Sequence, residues 1–263
     1  MAEPRPGGGF VWAHHAPAPA FVCRPLAEAA HHLYTTRAWR LGSRPEEVDE
    51  AWAELAAAVG VAPDQLVRAR QVHGREAVVV RRGDRTGRGP AGDADILTTD
   101  DPSRALAVQA ADCAPILLAD RATGAVAAAH AGWRGLAAGV PAAAVQAMVD
   151  AWGSRPADLV AAVGPSIGAC CYEVGSAVHE AFVAAGFSRA AIDLWFGVEH
   201  RPGHWQFDGW ASARDQLAAA GVPDDRIHLS RLCTGCFPDR LCSYRRQGAA
   251  AGRMAALVRA GVR

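Results

Sequence analysis

Three short segments carry the side chains best suited to chemistry: Q-V-H-G around His73, A-D-C around Cys113 and A-H-A-G-W-R-G around His130. Each comes where an apolar, strand-like run ends. Their separations are not those of a zinc finger, so the three side chains meet only if folding brings them together. Two imidazoles and one thiolate suit zinc, which accepts borderline nitrogen and sulfur donors. Three protein ligands leave a fourth position open, as in a catalytic rather than a structural site. The alternative is that His73 and His130 are core or turn residues and Cys113 a small buried hydrophobe. Gly74, Gly132 and Gly135 beside them would let the backbone approach a ligand closely or adopt positive φ. In V-G-P-S-I-G-A-C-C-Y-E-V, Gly164 and Gly168 flank a strand end whose amides could hold an anion such as phosphate. A plain tight turn accounts for the same glycines.

Cys233-Thr-Gly-Cys236 is a C-x-x-C, but a zinc ribbon needs a second such pair. The nearest other thiol in sequence is Cys242. On this reading, replacing Cys233 or Cys236 by serine leaves metal content unchanged. Ten histidines invite a copper reading, yet no His-x-His occurs. The adjacent pairs His14-His15 and His31-His32 cannot both face one metal from a regular strand.

The elements that must position these residues mix strands and helices without strict alternation. Residues 46–59 have helical spacing with acids at the start, and Gly60 follows as a stop. Residues 77–82 read as a strand and 83–94 as an exposed loop. Residues 105–120 read as two apolar strands broken at Asp112-Cys113, and 124–133 as another strand ending in a turn. A helix over 135–152 carries Pro141 as a kink or restart. A strand and Gly-rich turn occupy 158–175, helices follow from Ser176 and over 211–221, and 249–261 closes the chain. The pattern predicts a layered α/β domain with a mixed sheet. Residues 1–28, rich in Pro, Gly and Ala, read as a poorly specified lead-in to one catalytic domain over 29–263.

Composition narrows the chemistry. The 27 basic residues balance 27 acidic ones, so no global field points to nucleic acid or an anionic membrane. Every basic residue is arginine. Without lysine there is no Schiff base, pyridoxal anchor or phosphate-loop lysine. No apolar run is long enough to span a membrane, and the N-terminus lacks a signal layout. Seven cysteines, an odd number, point to a reducing, cytoplasmic setting with free or metal-bound thiols.

QVHG, DADILTTDDP, AVQAADCAPILLAD, GAVAAAHAGWRG, VGPSIGACCYEVG and CTGC…CSYRRQGAAAGRM together resemble the YfiH/YlmD family. Its members have been called polyphenol oxidoreductase-type laccases, purine nucleoside enzymes and peptidoglycan-editing factors. The resemblance implies a single three-layer α/β domain related to cysteine-hydrolase toxins, with zinc on His73, Cys113 and His130. It implies phosphorolysis of adenosine, inosine and methylthioadenosine, together with adenosine deamination. Zinc lowers the pKa of a bound water to about 7, which suits attack on an adenine ring. Arg37 or Arg134 would stabilise the anion, and Gly164, Gly168 and Tyr172 would contact nucleoside or phosphate. Where the family carries an Asn-Arg pair, this chain aligns Ala51-Trp52, so phosphate binding is expected to suffer. Competing readings are a metal-free cysteine hydrolase using Cys113 and His130, a non-enzymatic quality-control factor for peptidoglycan precursors with Cys170 or Cys171 as fourth ligand, and a copper polyphenol oxidase.

Overall fold

A computed structural model describes residues 4–14, 17–41, 45–84 and 89–261. His15 and the tip of the 83–94 loop lie outside them. Two six-stranded sheets stack face to face. The first runs β1 (Phe10–His14), β2 (Pro19–Cys23), β3 (Ala30–Thr35), β14 (Met254–Ala260), β7 (Ala105–Ala110) and β4 (Leu66–Arg68). The second runs β13 (Ile227–Leu229), β10 (Leu159–Val163), β8 (Ala114–Asp120), β9 (Val126–Ala131), β6 (Ile96–Thr99) and β5 (Ala77–Val80). Both sheets are mixed: β4/β7, β5/β6 and β10/β13 pair parallel, the other neighbours antiparallel. A two-stranded ribbon joins β11 (Glu173–Gly175) to β12 (His204–Gln206).

The helices are α1 (Arg24–Ala27), α2 (Pro45–Ala58), α3 (Trp133–Ala137), α4 (Val140–Trp152), α5 (Ser176–Ala184), α6 (Arg189–Phe196), α7 (Gly209–Ala219) and α8 (Tyr244–Gln247). Helix α2 covers the outer face of the first sheet through Trp52, Leu55 and Val59. Helices α4 and α7 cover the outer face of the second through Val140, Met148, Ala213 and Leu217. The layering is therefore helix, sheet, sheet, helix, one layer more than expected. The extra sheet is assembled largely from strands near the two ends of the chain. Residues 10–14 and 19–23, read as part of a lead-in, pair there as β1 and β2. Segment 249–261 supplies β14, between β3 and β7. Among the described residues no helix is long and apolar enough to cross a membrane.

Strands β8 and β9 show why the chain folds this way. Every residue of both is buried, as a continuous apolar run between two covering layers should be. Ile116 and Leu118 face the helices while Leu117 and Ala119 face the first sheet, as the two-residue period of a strand requires. His130 shares the face of Val126 and Ala128, near the end of β9 before the chain leaves for α3. Burial of the aliphatic side chains contributes roughly 25 cal/mol per Å² of apolar surface removed from water. The interrupted helix over 135–152 resolves into α3 and α4, with Gly139 at φ 83° between them and Pro141 in the first turn of α4. Proline is tolerated there because that N–H has no helical partner.

Candidate metal centre and active-site cavity

His73, Cys113 and His130 converge, with one ligand atom of each inside a 4.8 Å span. His73 Nε2 lies 3.9 Å from Cys113 Sγ, and the two imidazole rings meet edge to face at 4.8 Å. His130 is buried, Cys113 half-buried and His73 exposed.

Each donor is held by a specific device. His73 sits between β4 and β5 with φ 61°, an uncommon conformation for a non-glycine residue. Gln71 ties that loop to β7 by two bonds with Gln109, at 2.8 and 2.7 Å. On the other side Asp95 Oδ2 accepts the N–H groups of Val72 and Gly74 at 3.1 and 2.7 Å. The same carboxylate reaches His130, with Oδ1 2.8 Å from Nδ1. That contact leaves Nε2 of His130 free to be the ligand nitrogen, the orienting arrangement seen around metal-bound histidines. Cys113 occupies the break between β7 and β8, directly after Asp112 at φ 90°. Strained backbone of this kind persists where the surroundings over-determine it. Gly132 has ordinary φ but leaves no room for a side chain: a Cβ there would lie 2.8 Å from Cys113 Sγ.

Asp95 was not singled out from sequence. Carboxylates are plentiful, and its work on two backbone amides and one imidazole leaves no spacing pattern. Only its position inside the DADILTTDDP motif marked it.

Electrostatics within the cluster favour an ionised thiol. Burial pushes the Cys113 thiol up, but the adjacent His130 and His73 outweigh it and bring it down to about 6. Burial also works against a charged His130, yet Asp95 and Cys113 raise it to about 9. In metal-free protein, the rate of Cys113 alkylation by iodoacetamide is therefore expected to climb through about pH 6 and level off above it, because the thiolate is the nucleophile. Peptide mass spectrometry across a pH series checks this. A climb centred near the ordinary thiol value of about 8.5 would contradict it.

The three donors open into a cavity of about 680 Å³, a size that accommodates small-molecule ligands. Arg70, Arg134, Arg245 and Arg253 line it, as do Trp133, Tyr172 and Tyr244. The Arg245 guanidinium lies 5.2 Å from the Tyr172 ring centre, and that of Arg134 4.2 Å from the Trp133 ring.

Other residues anticipated at the site are placed elsewhere. Arg37 does not line this cavity: its guanidinium donates to the Pro238 carbonyl and its N–H to that of Arg240 at 2.9 Å. Gly164 and Gly168 are packing positions. A Cβ on Gly164 would overlap the Tyr34 ring at 2.3 Å, and one on Gly168 would meet Trp210 at 2.6 Å. Ala51 and Trp52 are buried on α2 in the outer core, with Arg68 4.6 Å above the Trp52 ring. The Trp52 side chain packs in that core and does not line the cavity.

The C-T-G-C motif requires the plainest correction. Cys233 and Cys236 do have partners: their sulfurs gather with those of Cys170 and Cys171 inside a 4.8 Å span. Neither Cys170 nor Cys171 belongs to the His73 group.

A family model described as "Multi-copper polyphenol oxidoreductase laccase" matches residues 34–260. A curated relative from Escherichia coli, named purine nucleoside phosphorylase YfiH, is 36% identical over 82% of this chain and 82% of its own. The chain belongs to the YfiH/YlmD family. A purine nucleoside phosphorylase from Deinococcus radiodurans is 36% identical over 88% of this chain and 89% of its own. One from Bacteroides thetaiotaomicron is 38% identical over 61% of this chain, and the match spans 58% of that relative, less than two thirds of its length. The crystal structure of YlmD from Geobacillus stearothermophilus superposes with TM-score 0.84 at 29% identity, over 96% of this chain and 99% of that one. The Bacillus licheniformis YfiH structure gives 0.85 at 27% identity, over 95% and 99%.

Proposed function

We propose that this YfiH/YlmD-family chain is a zinc-dependent purine nucleoside phosphorylase that also deaminates adenosine. The observation that carries the reading is the convergence of His73, Cys113 and His130 on a cavity lined by four arginines and three large aromatic rings. The names of the relatives support its phosphorylase part.

The donor set fits zinc. Two imidazoles, one thiol already inclined to ionise and a second-nitrogen partner for His130 on Asp95 are the features a three-ligand zinc site needs. A multicopper oxidase needs a further, histidine-rich centre. Among the described residues the only other group of metal-capable side chains is four cysteines. When bound, zinc supplies a Lewis acid at the cavity floor.

The rest is the work of the chain. Arg134, Arg245 and Arg253 give the cavity the charge to hold a phosphate dianion against the nucleoside. The faces of Tyr172 and Trp133 offer apolar surface for a purine. In phosphorolysis a phosphate oxygen bonds to C1′ of the sugar as the C1′–N9 bond breaks. Its electron pair leaves with the purine, which takes up a proton. Deamination of adenosine is a separate step at the purine ring: water adds to C6 and the C6 amino group leaves as ammonia, giving inosine.

The Asp95–His130–Cys113 chain also resembles a cysteine-hydrolase triad. His73, whose unusual backbone brings a third donor to the thiol, favours a metal over that reading.

Metal-analysed protein incubated with adenosine, inosine and methylthioadenosine is expected to release free base only when phosphate is present, with one sugar phosphate formed per base. Base release independent of phosphate, or none from zinc-replete protein, would overturn the proposal.

A further inference from the structure

We propose that Cys170, Cys171, Cys233 and Cys236 bind a second zinc ion, closed by four thiolates, which braces one wall of the cavity. All four sulfurs lie within 4.8 Å of one another. The nearest pairs are Cys170–Cys236 at 3.5 Å and Cys171–Cys236 at 3.6 Å. Four Zn–S bonds of about 2.3 Å in a tetrahedron place the sulfurs about 3.8 Å apart, so the observed spread fits one ion at their centre. Four ligands leave no open position, the mark of a structural site.

The backbone is shaped for this gathering. Cys233-Thr-Gly-Cys236 turns back on itself, the Cys236 N–H donating to the Cys233 carbonyl at 3.1 Å. The Cys170-Cys171 turn closes in the same way onto Gly168 at 2.9 Å. Ser166 joins the two segments, accepting from the Thr234 N–H at 3.0 Å and donating to the Leu232 carbonyl at 3.3 Å. A Cβ on Gly235 would sit 2.9 Å from Cys171 Cβ and 3.1 Å from its sulfur, so glycine is what lets the turns close.

The surroundings also suit a negatively charged thiolate centre. The Gly168 N–H donates to Cys233 Sγ at 3.2 Å. Arg246 reaches Cys171 Sγ at 3.6 Å while its Nε holds the Gly235 carbonyl at 3.0 Å. Cys170 and Cys236 are exposed, so packing alone does not account for them.

What the ion would brace is the loop of Cys113. The Asp112 carboxylate accepts from the Thr234 hydroxyl inside the C-T-G-C turn and from the Arg245 N–H at 2.6 Å. The Asp112 carbonyl accepts from Ile167 at 2.9 Å. Tyr172 follows Cys171 directly into the cavity wall. These contacts hold Asp112 in its positive-φ conformation one residue before Cys113. The proposal rests on the four thiols and not on the nucleoside reading.

Full-length protein purified under reducing conditions with zinc is expected to hold about two ions per chain. Cys113→Ala and the exposed double variant Cys170→Ser/Cys236→Ser should each keep about one. Cobalt-substituted Cys113→Ala should show strong thiolate-to-cobalt charge transfer that adding Cys170→Ser/Cys236→Ser removes. The cobalt spectrum of Cys113→Ala alone decides the matter if the double variant fails to fold. Metal content unaltered by Cys170→Ser/Cys236→Ser would overturn the proposal. So would a chain two hydrogens lighter with Cys170 cross-linked to Cys236. Failure of the His73 site instead gives about one ion in wild type, insensitive to Cys113→Ala.

Discussion

Cys113→Ala is expected to lower phosphate-dependent base release on the order of 10³-fold while leaving the fold intact. Zinc as a Lewis acid contributes several kcal/mol to a transition state that carries charge on oxygen, and about 1.4 kcal/mol is tenfold in rate. The variant removes the one thiolate of the set and leaves two imidazoles, a much weaker site for zinc. Cys113 is half-buried just before β8, where losing one sulfur opens toward the cavity and not into the core. The two readouts are turnover and metal content relative to wild type. Loss of one metal equivalent with full turnover would remove zinc from the reaction. Retention of both would place the metal elsewhere.

The legible part of this chain is the part where chemistry and fold share short motifs. His73, Cys113 and His130 stand out because imidazole and thiol are uncommon side chains and each sits in a small, glycine-flanked segment. The strands beside Cys113 and His130 are equally plain, since β8 and β9 are largely apolar runs. The two ends of the chain were harder. F-V-W-A-H and P-A-F-V-C become strands by pairing with each other and with β3, a register no local pattern announces amid Pro and Gly. The four-cysteine group was obscured for a related reason. Adjacent cysteines on a strand point to opposite faces, but Cys170 and Cys171 lie on a turn, so both reach the C-x-x-C some sixty residues away. Arg37 shows the converse: a motif arginine whose charge serves a loop–loop contact instead of the cavity.

The residue with the least sequence signal carries a large share of the metal site. Asp95→Asn is expected to weaken zinc binding at the His73 site about 10–100-fold, the usual cost of removing an outer partner of a metal-bound histidine. The substitution keeps size and shape but turns one acceptor atom into a donor. Asp95 is needed as an acceptor on both sides, by Val72 and Gly74 through Oδ2 and by His130 through Oδ1. Whichever way the amide turns, its NH₂ group faces an N–H. In one orientation His130 loses the partner that fixes its ring and tautomer; in the other the His73 loop loses the anchor for its positive-φ turn. The strand should survive, because the Asp95 carbonyl still accepts the His130 N–H at 2.8 Å and β6 remains paired with β9. Removing the carboxylate also withdraws one of the two groups, with Cys113, that raise His130 to about 9, so in metal-free protein that proton should leave at lower pH. Chelator competition measures the affinity and NMR titration of His130 the proton. An unchanged zinc affinity together with an unchanged His130 titration would show that Asp95 positions neither ligand.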